Sequence, residues 1–158
     1  MPKKFLSEED ALAFLTQETV GHMATNDPSG YPYITPLNYV YYQGKIYFHC
    51  ALTGRKLDNL AADNRVCFEV SRIDKQVFRP LACKCSTRYT SVLVLGTARL
   101  VADPARKLEL LQALTETYAQ GQTFSPIEAD SPKLARCHVV EISIDSIHGK
   151  SNVDREEM

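Results

Sequence analysis

The sequence predicts a mainly β fold, a small antiparallel barrel of six strands with flanking helices, on three observations. Apolar and polar residues alternate with a period of two in several short runs rich in Val, Ile, Tyr and Phe. The first of these runs are joined by connections too short for a βαβ crossover, so their pairing must be antiparallel. The most strand-like run, residues 90–101 (TSVLVLGTARLV), carries Gly96 in its middle, where a bulge or bend turns a barrel corner.

The elements follow in order. Ser7 is an N-cap candidate before the acidic turn Glu8-Glu9-Asp10, and Ala11, Leu12, Phe14 and Leu15 form the apolar stripe of a first helix covering the sheet. Residues 20–25 read as a strand ended by Asn26-Asp27-Pro28-Ser29-Gly30, a cluster of turn formers. One strand is expected over 34–41 and a second over 45–50, with Gln43-Gly44 as the hairpin turn, so that the first three strands make a meander. A short helix carries Leu57, Leu60 and Ala61 at spacings of three and four, and Val66, Phe68 and Val70 alternate in the next strand. Residues 73–88 show no period and contain Pro80, which predicts a long loop or an irregular strand. Asp103-Pro104 opens a second covering helix with Leu108, Leu111, Leu114 and Tyr118 on one face and Gly121 at its end. The last strand is expected over 136–147. Residues 1–150 thus form one domain, and 151–158 are a charged tail expected to fray.

Composition narrows the function. Lys+Arg 18 against Asp+Glu 19 leaves a net charge of -1, so no global field draws the chain to nucleic acid or to an anionic membrane. An odd count of cysteines, 5, with a start (MPKKFLSEED) that has no apolar signal-like stretch, predicts a reduced cytoplasmic protein. No apolar run is long enough to span a bilayer. The Cys83-Lys84-Cys85 spacing is not that of a zinc ribbon, and no metal site is expected.

Chemistry concentrates at Thr53-Gly54-Arg55-Lys56. Thr53 is a candidate N-cap of the short helix. Arg55 and Lys56 therefore stand at a helix N-terminus, whose unpaired N–H groups and partial positive charge suit a phosphate dianion. The alternative is a solvated basic turn with no ligand.

Four stretches taken together, GHMATNDPSGYPYITPLNYVY, GKIYFHCALTGRKLDNLAADNRVCFEV, YTSVLVLGTARLV and VVEISIDSIHGK, resemble the flavin-binding split barrels related to pyridoxamine 5'-phosphate oxidase, and within them the nitroimidazole-resistance (Nim-type) branch. The resemblance implies a homodimer with flavin mononucleotide (FMN) at its interface. It places Thr35, Pro36, Leu37 and Asn38 beside the flavin ring or its ribityl chain. His49, Cys50, Thr53, Gly54, Arg55 and Lys56 fall in the segment that holds the phosphate, and Ser91 falls where a polar side chain touches the flavin. It implies an oxidoreductase acting on a small-molecule electrophile such as a nitroaromatic, with His49 as proton donor or orienting group. Where Nim-type sequences commonly carry Gly, Ala or Ser after that histidine, this chain has Cys50. The C-terminal Arg/His substrate motif of true pyridoxamine-phosphate oxidases is absent from IHGKSNVDREEM, so vitamin B6 synthesis is not expected. The competing reading is a split barrel that binds flavin or haem without turnover, for storage, sensing or haem handling, with a histidine as axial ligand in the haem case.

Overall fold

The computed structural model describes residues 4–152. Eight strands form one antiparallel sheet: β1 (Lys4–Phe5), β2 (Val20–Asn26), β3 (Pro32–Asn38), β4 (Val40–Tyr42), β5 (Lys45–Cys50), β6 (Arg65–Val77), β7 (Ser86–Leu100) and β8 (His138–Asn152). Three α-helices accompany them, α1 (Glu8–Gln17), α2 (Arg55–Ala62) and α3 (Pro104–Ala119). The strand order is β3-β2-β6-β7-β8-β5-β4, with β1 on β8.

That order explains the barrel. β3 and β4 are opposite ends of the sheet, yet Tyr39 alone separates them in sequence. A residue spans at most about 3.6 Å, so the two edges must lie side by side and the sheet curls on itself. They do not pair with each other, which leaves the barrel split along a seam. Tyr39 is fixed at this point: it is fully buried, packs edge-on against Phe68 at 5.1 Å, and its hydroxyl donates to the Leu15 carbonyl at 2.7 Å.

Two expectations need correction here, and a third is made definite. The single strand expected over 34–41 breaks at Tyr39, and its halves fall on opposite edges, so the first strands are not a meander. Local alternation could not reveal this, because Tyr39 keeps the period of two through the break. Residues 73–88, expected as a long loop or an irregular strand, are both: 73–77 and 86–88 continue β6 and β7 with a register shift between Ile73 and Lys75, and 78–85 connect them. Polar side chains on both faces hide this hairpin from a periodicity argument. Lastly, β8 runs through Asn152, where Ser151 is buried against β1 and β7, so 151–152 belong to the sheet; residues 153–158 of the expected tail lie outside the described residues.

Other expectations hold. Ser7 Oγ accepts from the Asp10 N–H, and Asp103 accepts from the Arg106 N–H with Pro104 behind it. The turn at Gln43-Gly44 has both residues at positive φ, 48° and 82°. Gly96 stands at a register shift between β7 and β8, where a Cβ would lie 2.1 Å from the Ser143 carbonyl oxygen. The close approach requires glycine.

Two apolar layers result. Met23, Leu37, Tyr39, Ile46, Phe48, Phe68, Val92, Val94 and Ile142 fill the barrel under α1. Tyr47 and Val139 face outward against Leu110, Leu111 and Leu114 of α3; Leu110, rather than Leu108, completes the buried face. Beneath the start of α3, the buried Glu141 carboxylate accepts from Lys45 at 2.7 Å, Arg99 at 2.7 Å and the Tyr47 hydroxyl at 2.9 Å. Burial pushes its pKa up, but these donors outweigh it and hold Glu141 below the ordinary carboxylate range. A lowered folded-state pKa gives stability that is present above the unfolded value and is lost as pH falls through the folded one. Glu141→Gln is therefore expected to cost about 1–3 kcal/mol at neutral pH and to flatten the acid limb of the stability curve below about pH 4.3. Urea denaturation across that range measures both.

Candidate functional site

The seam gathers the expected residues of β3, the end of β5 and the start of α2. On one side lies the free edge of β3, whose outward backbone groups have no strand partner. On the other lie the end of β5, the exposed segment 51–54 and the start of α2. β3 and β5 approach each other across this gap.

Gly54, not Thr53, caps α2, and it does so with its backbone: the Gly54 carbonyl accepts from the Leu57 and Asp58 N–H groups. Its φ of 146° and ψ of 160° lie in a region open essentially to glycine alone. Thr53 makes no capping bond. The sequence offered a better capping side chain, but the sharp entry into α2 selects the residue without a Cβ. Gly54→Ala is expected to cost about 1–3 kcal/mol in strain, and loss of ligand affinity in excess of the melting shift would mark the loop as part of the site.

Arg55 and Lys56 occupy the first helical turn but differ in state. Arg55 Nε donates to Asp27 at 2.6 Å, and the guanidinium lies 4.8 Å from the centre of the Tyr33 ring. Among the described residues its two Nη groups have no partner, so the fork is oriented yet open. The Arg55 guanidinium, helped by the Ser29 hydroxyl and N–H, holds the Asp27 carboxyl well below the usual carboxylate range. Lys56 makes no hydrogen bond or ion pair among the described residues. Its charge reaches the Cys50 thiol, which burial nevertheless pushes up.

Asn59 ties α2 to β2. Fully buried, it bonds Thr25 Oγ1 at 2.9 Å; in the amide orientation that satisfies its neighbours, its NH2 donates to Asp27 at 3.2 Å and to the Arg55 carbonyl at 3.3 Å. The opposite orientation would set the amide oxygen against both acceptors. Asp27, Tyr33 and Asn59 therefore position the cation pair, and sequence reading missed all three. Asp27 reads as a turn former, and Asn59 lies beside the Leu57/Leu60 stripe rather than on it. A polar residue next to an apolar stripe was the available signal.

The strand residues divide by face. On β3, Thr35 and Leu37 point into the barrel while Pro36 and Asn38 are exposed. Thr35 Oγ1 is buried and has no hydrogen-bond partner among the described residues. On β5, Cys50 joins the barrel core, whereas His49 is exposed on the opposite face. His49 lines a pocket of about 390 Å³ with Leu111, Leu114, Tyr118, Ile127 and Lys133. Burial pushes the Tyr118 hydroxyl up to about 12, so it stays protonated at neutral pH. Ser91 does not join the seam. It lies on the outer face of β7, beside Ser71 and Lys150, three strands from β3. At about 4.8 Å per strand that is roughly 14 Å of sheet.

A family model described as pyridoxamine 5'-phosphate oxidase matches residues 7–151. The chain belongs to this family. No curated protein matches the sequence. Solved structures share the oxidase-family barrel. A candidate 5-nitroimidazole antibiotic resistance protein from Bacteroides thetaiotaomicron superposes with TM-score 0.80 at 23% identity, over 96% of this chain and 89% of the other. The FAD and heme binding protein from Mycobacterium smegmatis gives 0.81 at 22%, over 99% and 78%. An FAD-binding protein from Mesorhizobium loti gives 0.73 at 20%, over 97% and 100%. At these identities the likeness establishes the oxidase-family fold, a split barrel with flanking helices, and that fold agrees with the one expected from sequence except that eight strands stand in place of six. No described helix is long and apolar enough to cross a membrane.

Proposed function

We propose that this chain is an FMN-binding oxidoreductase that holds the flavin along the seam and reduces a small electrophile such as a nitroaromatic. One observation carries the reading: an oriented Arg55 fork and an unpaired Lys56 stand at the start of α2, across from the free edge of β3, where Thr35 Oγ1 lacks a partner. The donor set fits the cofactor. A helix N-terminus with two cations suits a terminal phosphate dianion, while a strand edge and a hydroxyl suit a polar ring and its ribityl chain. FMN, which ends in such a dianion, is favoured over FAD. Family relatives described as FAD-binding make flavin the natural class.

When bound, the flavin supplies the electrons for reduction. The chain's own residues do the rest. Arg55 and Lys56 bind the phosphate, Gly54 lets the backbone approach it, and β3 orients the ring. His49, which stands near the end of β5 beside the seam and lines the pocket beneath α3, would donate a proton to the substrate or orient it. Lys133 at the same pocket attracts the negative charge that a nitro group gains on reduction.

The active form is proposed to be a homodimer in the cytoplasm. Val20, Ile34, Leu93 and Leu95 are 50%, 61%, 40% and 47% exposed on the outer face of the sheet, and Ile34, Ala24, Cys67 and Leu95 align across four strands. An apolar face of this kind marks an association surface. Ser91, too far from its own seam, would serve the partner's. Sedimentation is expected to give a dimer with one FMN per chain; a monomer that retains stoichiometric FMN would refute this assembly. Titration with FMN and FAD tests the cofactor, with FMN expected to bind more tightly.

A further inference from the structure

We propose that the tip of the β6–β7 hairpin is a thiol–disulfide exchange site for small anionic disulfides, with Cys85 as the attacking thiol. The connection 78–85 contains a single 3-10 turn, Ala82–Lys84, and folds around one sulfur. Cys85 Sγ accepts the Arg79 backbone N–H at 3.4 Å and lies 3.5 Å from the Arg79 carbonyl oxygen and 4.0 Å from that of Leu81. These contacts fix its rotamer, while the residue itself is exposed.

In front of it opens a cavity of about 560 Å³ lined by Arg79, Cys83, Lys84, Cys85, Ser86, Tyr89 and Asn152. Two cations face this space, and among the described residues no carboxylate lines it. Among the described residues the Arg79 guanidinium bonds only the neutral Phe78 carbonyl, at 3.0 Å, and the Lys84 side chain has no partner. The site is thus charged against cationic visitors and towards anionic ones. Cys83 shares the exposed cavity but, among the described residues, its sulfur has no contact that fixes it, and the remaining three thiols are less available. Cys50 is buried, burial pushes both its thiol and that of Cys67 up, and Cys137 Sγ donates to the Lys133 carbonyl at 3.7 Å.

The exchange balances without a further reactant. Cys85 gives its proton to water, its sulfur attacks one sulfur of R–S–S–R, and a protein–S–S–R bond forms as the original S–S bond breaks. The protein sulfur is oxidised. The departing R–S⁻ is reduced and takes up a proton from water.

Charge selectivity supplies the test. The purified protein is incubated with oxidised glutathione, a dianion, or with cystamine, a dication, at low and high salt, and adducts are followed by intact mass and mapped by peptide mass. One glutathione adduct on Cys85 is expected, formed roughly tenfold faster than the cystamine adduct at low salt. The preference should vanish at high salt and in Arg79→Gln/Lys84→Gln, which leaves both thiols in place. Cys85→Ser should abolish the fast adduct. Equal or faster reaction with cystamine, an adduct on Cys83, Cys50, Cys67 or Cys137 instead, or no adduct at all would overturn the proposal.

Discussion

Replacing Arg55 and Lys56 together with alanine is expected to weaken FMN binding by about a hundredfold or more. A hydrogen bond to a charged group contributes about 1.5–3 kcal/mol, so Lys56→Ala alone should cost about ten- to a hundredfold. The double variant should exceed that for a specific reason. Asp27 is neutralised by Arg55 at 2.6 Å, and removing the guanidinium would leave an uncompensated carboxylate near the phosphate. Lys56→Ala is the cleaner probe, because Lys56 holds no partner among the described residues and its loss should leave the melting temperature unchanged. FMN titration by fluorescence quenching, run beside thermal unfolding of the same variants, separates binding from folding. Unchanged affinity in the double variant would remove the phosphate site from this end of the barrel.

The second large effect concerns His49. His49→Gln is expected to keep the barrel and its FMN while lowering nitroaromatic reduction by about a hundredfold, the scale of a lost general acid. Glutamine can replace one imidazole hydrogen bond but cannot deliver a proton near neutral pH. The location of His49 makes the substitution mild for the fold: it is exposed and rims a pocket instead of filling the core. Single-turnover reoxidation of reduced enzyme by a nitro compound reads the chemical step directly. Normal reoxidation with a lowered melting temperature would make His49 part of the scaffold.

Much of this architecture was legible in the sequence because alternation, caps and turn formers are local signals. The N-caps Ser7 and Asp103 and the bulge at Gly96 each follow from a residue type whose physical role is nearly position-independent. The break at Tyr39 was not legible, since a residue that preserves the period of two gives no sign that its neighbours part to opposite edges of the sheet. The site was legible in part for the same reason. Arg55 and Lys56 announce an anion site by charge at a helix start, but their difference does not show in sequence. It arises from Asp27, Tyr33 and Asn59, which are brought to Arg55 by the pairing of β2 with β3 and by α2 packing on β2. Likewise the opposite facing of His49 and Cys50 follows from strand geometry once the strand is granted, whereas the pocket that receives His49 is built by α3 and the segment 127–137, far along the chain.

The most direct test of the central claim is the absorption spectrum of the purified protein before and after addition of one equivalent of FMN. The account predicts the two flavin bands, shifted on binding and abolished by the Arg55/Lys56 double variant, with FMN recovered at one per chain on heat release. A Soret band in the purified protein, or a spectrum of free flavin that protein leaves unchanged, would contradict it.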